Sequence, residues 1–151
     1  EPVAIGVIRT APSDPLPARL ARLQREIRSL IVEHRPDVVA IERVFFQVNV
    51  KTALGVAQVS GLAMAEGAAA GAEVVEYTPN QIKEAVGGWG AATKDQMQRM
   101  VQTLLGLAEL PTPADAADAA AVALCHLAHA PMLQAGLRGP NPVVAAPVRS
   151  Q

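Results

Sequence analysis

Residues 3–9, VAIGVIR, are an apolar, β-branched run that predicts a strand, and the segment APSDPLP breaks it. From there the period changes. Leu16, Leu20, Leu23, Ile27, Leu30 and Ile31 recur at three- and four-residue steps, which predicts a helix to about His34. Asp14 is placed to cap that helix with Pro15 at its first position, and Pro36 ends it. In residues 37–42, DVVAIE, the apolar positions Val38 to Ile41 are continuous rather than alternating. That is the pattern of a strand covered on both faces, as in a parallel sheet, and it ends in Glu42.

A helix is predicted from about Val50 to Ala70, rich in small residues (Ala53, Gly55, Ala57, Ser60, Gly61, Ala63, Ala65, Gly67) that let another backbone approach closely. EVVEY at 73–77 reads as the next strand, and Pro79 opens a short helix through Val86. GGWG at 87–90 is a flexible link, and Thr93 with Gln96 resembles a capping box for a helix to about Leu105. A last helix runs from Pro113 to about His129, and from Pro131 the periodicity is lost. The order of strands and helices predicts an α/β fold with a parallel portion. Residues 1–133 are expected to form one domain and 134–151 a poorly ordered tail.

Composition narrows the reading. Of 151 residues, 50% are hydrophobic but only 3% aromatic, so the core is built from Ala, Val, Leu and Ile. A net charge of −1 removes bulk positive charge as an argument for nucleic-acid binding. One cysteine, Cys125, excludes a disulfide framework and a multi-cysteine metal site, and its apolar setting reads as a buried, inert thiol. No membrane span or signal peptide is seen, which makes a soluble cytoplasmic protein the default. His34, His126 and His129 read as surface or packing residues, and the Arg19–Arg28 series reads as a solvated helix face.

The candidate chemistry is acidic. Ligands of open α/β sheets bind beyond the carboxyl ends of the parallel strands, where Glu42 stands. Asp115 and Asp118, three residues apart, share one face of the last helix. Asp115 also fits a capping arrangement with Thr112; Asp118, a turn further in among alanines, fits that role less well. Three carboxylates with no required His or Cys suit Mg²⁺ or Mn²⁺. With substrate phosphate oxygens they would hold two ions roughly 4 Å apart, as in in-line phosphoryl displacement.

The segments AIERVFFQVNVKTA, YTPNQIKEAVGGWGAATKDQMQRMV and PTPADAADAAAVALCH resemble the Holliday junction resolvases of the RuvC type, over roughly residues 5–131. The resemblance implies an RNase H-like mixed sheet flanked by helices. It implies a magnesium-dependent endonuclease that resolves four-way DNA junctions by paired, symmetric nicks in recombination and repair. It implies two Mg²⁺ ions per site, a homodimer formed through the Val50–Ala70 helix, and cooperation with the RuvA–RuvB branch-migration machinery near the nucleoid. It assigns Glu42, Asp115 and Asp118 as active-site carboxylates, Lys83 and Lys94 as basic residues that contact DNA and support catalysis, and Phe45 as the aromatic that stacks on bases. Arg43 and Lys51 would add phosphate contacts. Trp89 is either a mobile surface contact or a packing plug.

One departure is expected to matter. The family begins with a strand bearing Gly-x-Asp-x-Gly, whose Asp is the first metal ligand, and no such motif occurs here. Residues 3–9 match the family's third strand, so the N-terminal portion of the domain is expected to be missing. Two other classes of function are open to such a sequence: a noncatalytic dimeric module that holds branched DNA, and a small-ligand or nucleotide-binding α/β domain. The second lacks a Gly-rich phosphate loop after a strand; GGWG follows a helix.

Overall fold

The structure is a computed structural model. It describes residues 2–43, 50–88 and 90–134, with backbone alone for 50–52 and 131–134. The elements follow one another as α1 (Leu16–His34), β1 (Val38–Glu42), α2 (Val50–Ala69), β2 (Glu73–Tyr77), α3 (Pro79–Gly87), α4 (Lys94–Leu105) and α5 (Ala114–Gln134). Two compact units result. One holds residues 8–76; the other holds 77–134 together with the N-terminal segment up to Val7.

The first unit contains a βαβ arrangement. β1 and β2 pair in a two-stranded sheet, and the Glu73 amide donates to the Asp37 carbonyl at the start of both strands. The strands therefore run the same way, with α2 as the crossover. α2 packs on α1 and on β1. The approach to β1 is close at Gly67, where a Cβ would stand 2.9 Å from Val39 Cγ2. At the end of α1, Arg35 adopts the left-handed conformation (φ 45°) and its amide donates to the Ile31 carbonyl. The proline that follows disfavours a further helical residue at Arg35.

α1 and α2 are tied by a charged cluster. Glu66 sits in the Ala- and Gly-rich stretch of α2 with its side chain only 8% exposed. Arg28 of α1 grips it with two hydrogen bonds, Nε to Oε2 at 2.7 Å and Nη2 to Oε1 at 2.8 Å. Gln24 donates to Oε1 at 2.7 Å. A buried carboxylate is tolerable only with such partners. The bonds from Arg28 and then Gln24 hold the Glu66 carboxyl down to about 2, against its ordinary 4.5.

The second unit is helical. α3, α4 and α5 pack against one another around Ile82, Val86, Met97, Val101, Ala117, Ala121, Val122 and Cys125. Tyr77, the last residue of β2, is buried, and its hydroxyl shares a 2.9 Å hydrogen bond with His126 Nδ1. α3 and α4 each start with a complete capping box, Thr78 with Gln81 and Thr93 with Gln96. Burial raises the Cys125 thiol to about 11, as an inert core cysteine requires.

Several expectations are corrected. Residues 3–9 form no strand, and Val3 is 86% exposed. The composition suits a strand, but a strand exists only when its backbone groups find a ladder, and among the described residues β1 and β2 pair only with each other. β1 is half-buried rather than covered on both faces. α1 begins at Leu16, with Pro15 in the capping position and no side-chain cap, so Asp14 does not cap it. α5 continues to Gln134, beyond the expected end. The Arg19–Arg28 series is not wholly a solvated face: Arg28 binds Glu66, and Arg19 donates to the Thr10 hydroxyl. Of the expected 134–151 tail, Gln134 belongs to α5 and residues 135–151, like Trp89, lie outside the described residues; no described helix is long and apolar enough to cross a membrane.

Two stability predictions follow from these contacts. Gly67→Ala gains helix propensity but meets Val39, and overpacking is expected to win, with a net loss of about 1–3 kcal/mol in denaturant unfolding. The Glu66 carboxyl titrates lower in the folded chain than when unfolded, so its contribution is complete above pH 4.5 and fades as pH falls toward 2. Thermal melts from pH 6 to pH 2 should therefore fall more steeply for the natural chain than for Glu66→Gln. Parallel melting curves would show that the ion pair contributes no such linkage.

Candidate active site

Asp115 and Asp118 stand in the first two turns of α5, in the second unit. Asp115 is exposed and Asp118 half-buried, beside the buried Ala117 and one turn before the buried Ala121 and Val122. The three-residue spacing puts both carboxylates on one helical face, where like charges repel. Neither forms a hydrogen bond or an ion pair among the described residues. Thr112 does not cap them: α5 begins at Ala114, and no bond from the Thr112 hydroxyl to the Asp115 amide forms among the described residues. The capping alternative for Asp115 thus has no contact behind it. An acidic residue in a helix's first turn is still favoured by the helix dipole, which offsets part of the repulsion.

The alanines around the pair have a structural purpose. Ala116, Ala117 and Ala121 are nearly fully buried, so α5 lies close to its neighbours without long side chains between them. Beside that packed face Asp115 is exposed and Asp118 half-buried. Lys83 of α3, half-buried, and Lys94, exposed at the first position of α4, lie in the same unit.

Glu42 and Arg43 belong to the other unit. Glu42 is the exposed last residue of β1, and Arg43 follows it half-buried. The Lys51 side chain and Phe45 lie outside the described residues. Neither unit by itself gathers three His, Cys, Asp or Glu side chains into a metal site among the described residues. The aspartate pair still suits a hard divalent ion, since both donors are oxygens, neither is fully buried, and neither pairs with a cation among the described residues.

Sequence reasoning overlooked two groups in the same unit. Tyr77 is a buried hydroxyl that needs a partner, and a histidine on a neighbouring apolar helix, His126, was the available signal. Gln98 and Gln102 of α4 bond to carbonyls of the segment leading into α5. Their cue was two amides four residues apart, just before a Pro-rich turn.

Comparison with known proteins agrees with the motifs. Residues 1–126 match the family described as crossover junction endodeoxyribonuclease RuvC. A relative of that name from Salinispora arenicola is 55% identical over 125 residues, which span 83% of this chain and 71% of the relative. The solved RuvC structure from Thermus thermophilus superposes with a TM-score of 0.77 at 35% identity, covering 84% of this chain and 76% of that one. The same protein in complex with a Holliday junction substrate also gives 0.77, at 32% identity, over 91% of this chain and 82% of the other. These matches establish the RNase H-like architecture, and the chain belongs to the RuvC family of hydrolytic nucleases, the crossover junction endodeoxyribonucleases.

Proposed function

We propose that Asp115 and Asp118, with Glu42, hold Mg²⁺ in an endonuclease that resolves four-way DNA junctions by paired, symmetric nicks in recombination and repair. The observation that carries this reading is the aspartate pair itself: two accessible carboxylates on one helical face, with no partner among the described residues. Their mutual repulsion is relieved when a divalent cation lies between them. The substrate class rests on the family and on the likeness to a RuvC bound to a Holliday junction.

Two bound ions would activate a water for attack on the phosphodiester and stabilise the leaving 3′ oxygen; Mn²⁺ would serve as well. The chain's own residues position and neutralise. The carboxylates of Asp115, Asp118 and Glu42 fix the cations. Lys83 and Lys94 hold backbone phosphates and offset negative charge in the reacting strand, and Arg43 and Lys51 extend the phosphate contacts. Phe45 stacks on a base near the branch point. No covalent protein nucleophile is needed, so the work is orientation and electrostatics.

A homodimer supplies two such sites to a nearly twofold substrate, with the small-residue surface of α2 as its seam. The assembly acts in the cytoplasm on nucleoid DNA, together with the RuvA–RuvB branch-migration complex. Residues 1–133 carry the nuclease domain and 134–151 form a tail outside it.

In the full-length encoded protein, Asp118→Asn should lower Mg²⁺-dependent nicking by about 10³-fold while leaving junction binding intact. Cleavage retained in that variant would remove Asp118 from the metal site. Binding without any cleavage by the unaltered protein in Mg²⁺ would return the noncatalytic module. Phe45→Ala should change the geometry of the bound junction, read by fluorescence transfer between its arms, more than the overall affinity. An unaltered geometry would reject stacking at that position.

A further inference from the structure

The segment between α4 and α5 decides where the aspartate pair sits, and it has little to hold it. α4 ends at Gly106, in the left-handed conformation (φ 64°), and the Leu107 amide donates back to the Gln102 carbonyl at 3.0 Å. From there to Pro113 no helix or strand fixes the backbone. Ala108, Glu109, Leu110 and Thr112 are exposed; Pro111 alone in this stretch is buried. Pro111 and Pro113 have no amide hydrogen, so their carbonyls are the only backbone handles at those positions.

α4 grips the segment with two glutamines one turn apart, one of them on the Pro111 carbonyl. Gln98 Nε2 donates to the Pro111 carbonyl at 3.2 Å. Gln102 Nε2 lies 3.3 Å from the Leu107 carbonyl and 3.4 Å from that of Ala108. On the next face of α4, Met97 and Val101 are buried in the unit's core, so the glutamines project from a fixed helix. Pro111 is four residues before Asp115 and seven before Asp118. A displacement of its carbonyl passes directly into the start of α5.

We infer that Gln98 is a positioning residue for the metal-binding carboxylates: its amide pins the Pro111 carbonyl and so sets the entry of α5 and the placement of Asp115 and Asp118. The inference rests on the proposal that this pair holds the divalent ion. Stability alone gives the bond a small role, since α4 and α5 already pack through buried side chains. Metal binding is more demanding, because donor atoms must be held to within about 0.5 Å. Groups that orient metal ligands typically change affinity by 10–100-fold when removed.

The test uses the full-length encoded protein and Mn²⁺, with thermal stabilisation by the ion as a readout independent of cleavage. Gln98→Met keeps the length of the side chain and deletes the donor. It should raise the Mn²⁺ half-saturation about 10-fold, in thermal stabilisation and in nicking alike, while junction binding in EDTA stays within about twofold. Gln98→Lys, which keeps an N–H donor of sufficient reach, should recover most of that loss.

An unchanged half-saturation in Gln98→Met, when Asp118→Asn abolishes stabilisation by Mn²⁺, would overturn the inference and leave the proposed site standing. Unchanged stabilisation in Asp118→Asn would instead overturn the metal site itself. If Gln98→Met fails to fold while Gln98→Lys folds, the bond is a requirement of the fold, and the positioning role is rejected.

Discussion

Two negative charges one helical turn apart must be answered by positive charge from somewhere. Within α5 the Cβ atoms of such a pair lie about 5–6 Å apart, and the repulsion works against the helix that carries it. Glu66 shows how this chain treats a carboxylate whose role is structural: it is buried, gripped by Arg28 and Gln24, and held down to about 2. Asp115 and Asp118 are treated in the opposite way, accessible and without a partner among the described residues. The contrast separates an acid that the fold satisfies from two that it leaves without a partner among the described residues, and it does so without appeal to the family.

Holding such a pair in place is difficult for a core with so few aromatic residues. Small side chains bury less apolar area each, so packing stabilises less per residue. Accuracy is supplied instead by directional bonds at the helix ends. The Thr78–Gln81 and Thr93–Gln96 boxes fix where α3 and α4 begin, and the amides of Gln98 and Gln102 hold the turn that follows α4. α4 thus has an apolar face for stability and a polar edge for placement. The abundant alanine of α5 belongs to the same scheme, since its buried small side chains bring the helix close to its neighbours.

The legible part of the sequence was what depends on local pattern. α2 and β2, the Thr93 capping box and the end of α4 matched their expected limits closely, because period and capping chemistry are local. The Asp115–Asp118 pair was legible for the same reason: helical spacing puts both on one face. What periodicity cannot show is the partner across space. Glu66 stood out as a charge in an Ala- and Gly-rich run, but nothing along the chain named Arg28, thirty-eight residues away, as its counterpart. Arg28 looked instead like one more solvated arginine. Tyr77 and His126, forty-nine residues apart, were hidden in the same way.

The failed strand at residues 3–9 and the half-buried β1 show the same limit from the backbone side. Strand propensity describes a side-chain surface, whereas a strand is a property of a pair, and among the described residues the ladder holds only β1 and β2. This bears on Glu42, which stands at the carboxyl end of β1 and takes its position from whatever fixes that strand. Two constraints do so: the ladder to β2, begun by the bond between Glu73 and Asp37, and the packing of Val39 against α2 at Gly67, where a Cβ would stand 2.9 Å from Val39 Cγ2. A glycine in the last turn of α2, normally a cost inside a helix, is therefore the residue that lets the crossover sit down on the strand carrying the proposed ligand. The placement of Glu42 and that of the aspartate pair thus rest on different chemistry: close backbone packing in one unit, amide-to-carbonyl bonding in the other.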